Sequence, residues 1–105
     1  MGMISVITKR PGEKPRHVNV SNSLEALQKN VGGYIEVVTM SPNWAVICNE
    51  EGRLQGMEHN CEVCGIDFVG PIIFAGIDGD EFCDLPTDFE TFKKVFPELF
   101  EEEKK

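Results

Sequence analysis

The sequence has no long hydrophobic run, and this absence sets the first limits on what the protein can be. No stretch of its 105 residues approaches the roughly 18 consecutive apolar residues that a membrane-spanning helix needs. The apolar opening, residues 3–8, is too short for the core of a secretory signal, and Lys9 and Arg10 follow it at once. We therefore expect a cytoplasmic protein that does not contact a membrane.

Basic residues are scarce as well. Ten Lys and Arg stand against 18 Asp and Glu, which gives a net charge of −8. Residues 1–33 carry five bases and two acids, a net of +3, whereas residues 34–105 carry five bases and sixteen acids, a net of −11. Because an acidic body repels phosphate backbones, we expect no nucleic acid as a direct ligand. The acidic surface favours contact with a protein partner instead.

Common motifs of catalytic sites are missing from the sequence. The Gly32–Gly33 pair follows a predicted helix rather than opening one, so it is not a phosphate-binding loop. Neither histidine, His17 or His59, has the spacing of a nucleophile–base motif. We therefore expect no catalytic residues and a protein that is not an enzyme.

The four cysteines include only one pair with metal-binding spacing. Cys61 and Cys64 form a Cys-x-x-Cys pair, and His59 adds a candidate zinc ligand. Cys48 and Cys83 would complete a tetrad only if the fold brought them near. A strong zinc motif needs a second such pair, and a redox pair normally opens a helix, which no pattern predicts here. We expect ordinary thiols and no cofactor, with a structural zinc site at His59, Cys61 and Cys64 as an alternative.

Length and periodicity predict one α+β domain over residues 1–105, with a charged tail at 101–105. The expected architecture is a small, mostly antiparallel sheet with one inserted helix and a C-terminal helix, because strands joined by short turns outnumber the helices. Alternating or β-branched segments predict strands at 3–8, 16–20, 34–40, 44–49, 53–55, 68–77 and 81–85.

Capping residues mark the two predicted helices. The inserted helix spans about residues 22–31, with Ser or Asn at its N-terminus and Gly32 after its last turn. The C-terminal helix spans about residues 87–96 and begins with Thr87 as its N-cap. Pro97 is expected to end or kink this helix, since its ring cannot continue the backbone hydrogen bonding.

The region between the predicted strands 44–49 and 68–77 is expected to be mostly irregular. A turn at residues 49–52 closes on Gly52 in the left-handed region, the short strand 53–55 returns from it, and residues 56–66 have no regular pattern. The expected core consists of the apolar positions in the regular elements: Leu24, Leu27, Ile35, Val37, Trp44, Val46, Ile72, Phe74, Phe89 and Phe92.

Aromatic and acidic residues are the candidates for a binding surface. Aromatic side chains on the uncovered face of a small sheet often contact partners, which singles out Tyr34 and Trp44. Two turns carry acidic residues, one at residues 49–52 and one at residues 78–81. The turn at 78–81 is not predicted to bind calcium, because it lies between strands and lacks the EF-hand register. The candidates in the two acidic turns are Asn49, Glu50, Glu51, Asp78, Asp80 and Glu81.

Two alternatives to a protein-binding role stay open at this point. One is a small-ligand binder, in which paired chains hold a nucleotide or metabolite between their sheets. The other is the zinc-stabilised module described above. A homo-oligomer is also possible, since a small sheet with an exposed edge can pair with another copy of itself.

Three blocks of the sequence resemble the family of small domains of unknown function numbered DUF3846. The blocks are VGGYIEVV at 31–38, WAVICNEEGRL at 44–54 together with Asn60, and VGPIIFAG at 69–76. The resemblance covers roughly residues 3–100 and implies an accessory protein of phages and conjugative elements, which would act by binding a host protein. It supplies no activity and no catalytic residue. The Cys61–Cys64 loop departs from the apolar, proline-containing stretch usual in the family, which argues against a family-wide zinc site.

Overall fold

Eight strands and two helices form the part of the chain that the computed structural model describes, residues 2–101. Both helices are short, and none of the helices in these residues is long and apolar enough to cross a membrane. The elements are β1 (Met3–Lys9), β2 (Arg16–Ser21), α1 (Leu24–Val31), β3 (Ile35–Ser41), β4 (Trp44–Asn49), β5 (His59–Val63), β6 (Ile66–Val69), β7 (Ile72–Asp78), β8 (Glu81–Cys83) and α2 (Phe89–Val95), followed by a 3₁₀ turn at Pro97–Phe100.

The main sheet has six strands, and all of its pairings are antiparallel. Its order is β2-β1-β7-β4-β3, so β2 and β3 are the outer strands. The sixth strand, β8, pairs with the same side of β7 as β1 does. Strand β1 pairs with Ile72–Phe74 in the first half of β7, and β8 pairs with Gly76–Asp78 in the second half. Strands β5 and β6 form a separate antiparallel hairpin. The α+β prediction, with one inserted helix and one C-terminal helix, is confirmed.

Each face of the main sheet has its own cover. Strands β4 and β7 are buried along almost their whole length because their alternating side chains meet a cover on both sides. On one face, α1 contributes Leu27 and Val31 to the core. On the other face, the core residues outside the sheet come from the hairpin, from α2 and from the 3₁₀ turn: Cys61, Val63, Phe68, Phe92 and Leu99.

Side-chain caps fix where the helices begin. Ser23 Oγ accepts a hydrogen bond from the Ala26 N–H at 3.2 Å, and Gly32, with a φ of 83°, ends α1 as predicted. The predicted N-cap of the second helix is wrong by one residue. Asp88, not Thr87, accepts from the Thr91 N–H, at 2.7 Å. Threonine and aspartate are both good N-cap residues, and in α2 the Asp88 carboxylate is the one that caps the helix.

Residues 50–69 differ most from the sequence-based expectation. The turn at 49–52 forms, but Gly52 does not have a positive φ, and no strand follows at 53–55. The segment expected to be irregular contains β5, and Cys64 and Gly65 connect it to β6 with φ values of 52° and 83°. Two consecutive positive φ values are typical of the two-residue hairpin turn whose twist matches that of the strands.

Two of the expected core residues lie at the surface. Leu24 is 59% exposed in the first turn of α1, and Val37 is 40% exposed on β3. Val37 has the residue type of a core strand, but β3 is an outer strand, and its burial pattern is correspondingly mixed. The exposure of Val37 therefore follows from the outer position of β3 in the sheet, and not from the residue composition of the strand.

A buried polar contact ties the hairpin to the main sheet. Lys9, which is 7% exposed, donates from Nζ to Asn60 Oδ1 at 2.8 Å. The Asn60 amide in turn donates to the backbone carbonyls of Lys9 at 2.9 Å and Gly70 at 2.7 Å. Every polar atom of the Asn60 side chain is therefore used within the protein, as the burial of an amide requires.

We expect Asn60→Ala to lower the free energy of unfolding by roughly 2–4 kcal/mol, since each buried polar group left without a partner costs about 1–3 kcal/mol. The substitution removes the donor to two carbonyls and the closer acceptor of the Lys9 ammonium, which keeps a 3.4 Å contact with the Arg10 carbonyl. Urea denaturation followed by circular dichroism measures the change. The control is Asn19→Ala on the exposed surface of β2; equal stability of the two variants would contradict the role assigned to Asn60.

Candidate functional site

The predicted binding residues lie in two groups at opposite ends of β4. The register pairs Asn49 with Ile35 at one end and Trp44 with Gly76 at the other. Five residue steps of about 3.3 Å along a strand place these ends roughly 16 Å apart. Tyr34, Asn49, Glu50 and Glu51 form the first group, and Trp44, Asp78, Asp80 and Glu81 form the second.

In the first group, Tyr34 and the two glutamates are exposed side by side. The Glu50 N–H donates to the Tyr34 carbonyl oxygen at 2.8 Å, which joins the turn after β4 to the start of β3. The Tyr34 side chain is 69% exposed, and Glu50 and Glu51 are exposed as well. These three side chains are free to contact a partner.

Asn49 has a structural task at this end of the sheet. It is 5% exposed, its amide donates to the Val31 carbonyl at 3.1 Å, and its Oδ1 accepts from the Glu51 N–H at 2.7 Å. It therefore links the end of α1 to the turn. A Cβ on Gly33 would lie 2.9 Å from the Asn49 amide nitrogen, so this close approach requires glycine. Because its polar atoms are occupied, Asn49 shapes the surface without contributing to it.

In the second group, Trp44 is half-buried against other aromatic rings. Its ring stacks on Phe74 with centroids 6.4 Å apart and meets Phe96 edge-on at 6.0 Å. It also lines a cleft of about 310 Å³ beside α2. The acidic residues Asp78, Asp80 and Glu81 are exposed around the β7–β8 turn.

Further exposed residues, which were not predicted from the sequence, surround the first group. Leu54 is 88% exposed in the turn, and Ile66 is 40% exposed on β6. Both line one groove of about 240 Å³ that also includes Glu36, Glu50 and Asp67. An isolated leucine in the polar stretch Glu50–Gln55 was the available signal. We call the following set the β3 edge surface: Tyr34, Glu36, Val37, Glu50, Glu51, Leu54, Ile66 and Asp67.

The charges of the β3 edge surface are mostly unpaired. Asp67 Oδ2 lies 3.7 Å from Arg53 Nη2, and Asp67 Oδ1 lies 2.7 Å from His59 Nε2. The Asp67 carboxylate therefore has both a cationic and a hydrogen-bonding partner. Within residues 2–101, no Lys, Arg or His lies within 4.0 Å of the carboxylates of Glu36, Glu50 or Glu51. Three exposed carboxylates next to exposed apolar groups are suited to a cationic, partly apolar partner.

The candidate zinc ligands are not brought together. Cys61 points into the core at 8% exposure, whereas Cys64 is exposed in the hairpin turn. The His59 ring is bonded to Asp67. In the described part of the chain, no three His, Cys, Asp or Glu side chains are placed to hold one metal ion. Cys48 is likewise buried, in β4. The tetrad considered from the sequence does not form.

A serine–histidine contact lies near the edge of the main sheet that is opposite β3. Ser5 on β1 hydrogen-bonds through Oγ to Nε2 of His17 on β2, and both line a shallow cleft of about 410 Å³. The nearby Asp84 carboxylate accepts from the Ser5 backbone N–H and not from the histidine ring. Among residues 2–101, no third side chain hydrogen-bonds to the imidazole as in a catalytic triad. The expectation of a non-enzymatic protein stays a prediction.

We expect Cys64 to react with thiol reagents at pH 8 well before Cys48 and Cys61. Burial raises the pKa of Cys48 to about 11 and that of Cys61 to about 11, so both remain protonated thiols at this pH. Timed alkylation with iodoacetamide, read by mass spectrometry of peptides, gives the order. A Cys64→Ser variant provides the control, and early labelling of Cys61 in the folded protein would contradict the assignment.

Comparison with known proteins gives one match. The model of the family described as Domain of unknown function (DUF3846) matches residues 4–97. No curated protein and no solved structure matches the chain. The matched region includes the three sequence blocks that carry the resemblance. It also covers α1, the hairpin and the main sheet except for Met3, the first residue of β1. The chain therefore belongs to the DUF3846 family.

Proposed function

We propose that this protein is a non-enzymatic binding protein that acts by protein–protein contact through the β3 edge surface. The observation that carries this proposal is the grouping of exposed apolar side chains with unpaired carboxylates at one end of the sheet. Tyr34 and Leu54 are 69% and 88% exposed. An isolated exposed leucine needs no explanation, but a group of apolar residues with a polar rim is typical of an interaction site.

The residue types of the β3 edge surface fit the anatomy of a protein interface. Tyrosine is among the residues that most often dominate binding energy, because it buries a large area at little conformational cost. Ile66 adds apolar area on the hairpin side of β3. Val37 is paired with Ile47 and adds exposed apolar area on the α1 side of the same strand. The glutamates supply a polar rim that selects the charge of the partner.

The net charge favours a basic partner surface. At −8 in total, the protein repels other acidic molecules and attracts basic ones over a Debye length of about 8 Å at physiological salt. Complementary charge speeds the encounter and rejects wrong partners more than it adds affinity. Specific affinity would then come from the apolar contacts of Tyr34 and Leu54.

The biological setting that we propose is that of an accessory protein of a mobile genetic element, located in the cytoplasm. The chain belongs to the DUF3846 family, and the resemblance to this family implies a protein of phages and conjugative elements. Small acidic proteins of such elements often bind host proteins. By analogy with them, we propose the same setting for this protein, which does not depend on the geometry of the β3 edge surface.

A second candidate function is the binding of a small aromatic ligand in the cleft beside Trp44. The cleft, of about 310 Å³, lies at the lower end of the range of about 300–1,000 Å³ seen for ligand sites. Its walls are mainly apolar, with Trp44, Phe92 and Phe96 among them. Native mass spectrometry distinguishes the two functions, because a retained metabolite would add its mass to the chain, and a protein-binding role alone would not.

We expect the double variant Glu50→Lys, Glu51→Lys to bind its protein partner roughly tenfold more weakly, a change of about 1.4 kcal/mol. The reversal replaces attraction by repulsion at exposed positions and leaves the buried Asn49 contacts in place. The partner is captured on the immobilised protein from a lysate of its native host. Its dissociation constant is then measured for the wild type and the variant at two salt concentrations.

The matched control is Asp78→Lys, Asp80→Lys, which makes the same charge change at the opposite end of the sheet. A partner that is lost from the first variant and retained by the second supports the proposal. Equal loss in both variants would show a general charge effect, and retention by both would remove the glutamates from the interface.

A further inference from the structure

The backbone edge of β3 that faces away from β4 pairs with no other strand in residues 2–101. This edge indicates how a partner would bind. We infer that the partner contributes an extended, basic segment that adds to β3 as a further strand of the main sheet. This inference rests on the proposed protein-binding function and specifies the shape and charge of the partner. Strand addition to an exposed sheet edge is a recurrent mode of peptide recognition, in which backbone hydrogen bonds supply affinity and side-chain pockets supply specificity.

The hydrogen-bond pattern of the β3–β4 pair identifies the free backbone groups. The Tyr34 carbonyl accepts from the Glu50 N–H, which directs the backbone of Tyr34 towards β4. Residues of an antiparallel strand alternate between pointing towards one neighbour and the other. The N–H and C=O groups of Ile35, Val37 and Thr39 therefore point away from β4, to the side where the sheet order ends.

Residues 35–39 of β3 lack three usual protections of an outer strand, namely proline, lysine and a bulge, and Glu36 is their one charged residue. Outer strands commonly carry proline, lysine or a bulge that prevents further pairing. Residues 35–39 read Ile-Glu-Val-Val-Thr, without proline or lysine, and the irregular register begins only between Thr39 and Ser41. Two to three residues of an incoming strand can thus form regular hydrogen bonds with β3.

The groove beside β3 matches the side chains of an added strand. Its lining includes Val38 and Cys48 from the sheet, and Leu54 and Ile66 from the turn and the hairpin. At about 240 Å³ it is smaller than typical small-ligand sites, and it suits single side chains. Glu36 lies in the same groove, two residues before Val38. An added strand would therefore place a cationic side chain near Glu36 and an apolar one near Val38, at alternate positions.

Charge decides between a foreign segment and a second copy of this chain. Pairing β3 of two copies would join molecules that each carry a net charge of −8. It would also bring the unpaired carboxylates of Glu36, Glu50 and Glu51 from both copies to one interface, and like charges placed opposite each other across strands are destabilising. A basic segment faces the opposite sign at the same positions.

The test uses a labelled eight-residue peptide with the sequence Thr-Lys-Thr-Val-Thr-Lys-Thr-Val as the probe. Lysine and valine alternate on one face of this peptide when it is extended. Fluorescence anisotropy measures its affinity for the wild-type protein. We expect binding that weakens at least tenfold when glutamate replaces both lysines. We expect a similar loss when alternate peptide nitrogens on one edge are methylated, because methylation removes the donors without changing the charge.

Two measurements on the protein locate the contact. We expect the amides of Ile35, Val37 and Thr39 to exchange hydrogen at least tenfold more slowly when the lysine peptide is bound. The amides of Glu36 and Val38 already point towards β4 and should change little. A Glu36→Lys variant should weaken the lysine peptide and strengthen the glutamate peptide, a reversal that a loss of folding would not produce.

Three results would overturn the inference. The first is that the folded protein does not bind the lysine peptide at concentrations up to about 1 mM. The second is binding without slower exchange at the three outward amides. The third is a dimer in sedimentation that protects the same amides without peptide. In each case the proposed protein-binding function is judged separately, by the charge-reversal pull-down on Glu50 and Glu51.

Discussion

The burial of β4 and β7 against each other is the constraint on which the rest of the fold depends. Ala45, Val46 and Ile47 on β4, and Ile72 and Phe74 on β7, have at most 1% of their surface exposed. Since successive side chains of a strand point to opposite faces, this pair needs apolar cover on both sides. One short helix cannot supply that cover. The chain therefore uses α1 on one face and combines the β5–β6 hairpin with the C-terminal helix on the other.

The candidate site follows from how this central pair is completed. The backbone of β4 needs a partner on the side away from β7, and β3 provides it. No strand in the described residues 2–101 pairs with the other side of β3, so this outer strand combines a free backbone edge with partly exposed side chains. Asn49 holds the adjoining turn in place by linking it to α1. A rigid support behind an open edge is favourable for binding, because little has to be ordered when a partner arrives.

The sequence predicts the elements well where periodicity and capping agree, as in α1 between Ser23 and Gly32 and in the two-face burial of β4. Prediction from the sequence fails where the burial of a residue depends on which strands are neighbours in the sheet. Val37 has the pattern of a core strand, and only the strand order shows that it lies on an outer one. The hairpin was missed because Cys64 is an uncommon residue in a two-residue turn, and its Cys-x-x-Cys spacing drew attention to metal binding. Of the candidate site, the exposed Tyr34, Glu50 and Glu51 could be proposed from sequence, whereas Ile66 and Asp67 join them only through the folding of that hairpin.

The order of the strands also separates charge in space. The basic N-terminal segment, with Arg10, Lys14 and Arg16, lies at the β1–β2 side of the sheet, and the carboxylates of Glu36, Glu50 and Glu51 lie at the β3 side. Four strand spacings of about 4.8 Å separate the two sides by roughly 19 Å. The charges of these six side chains are thus separated across the width of the sheet. A large basic surface would therefore attract the carboxylates on the β3 side and repel Arg10, Lys14 and Arg16.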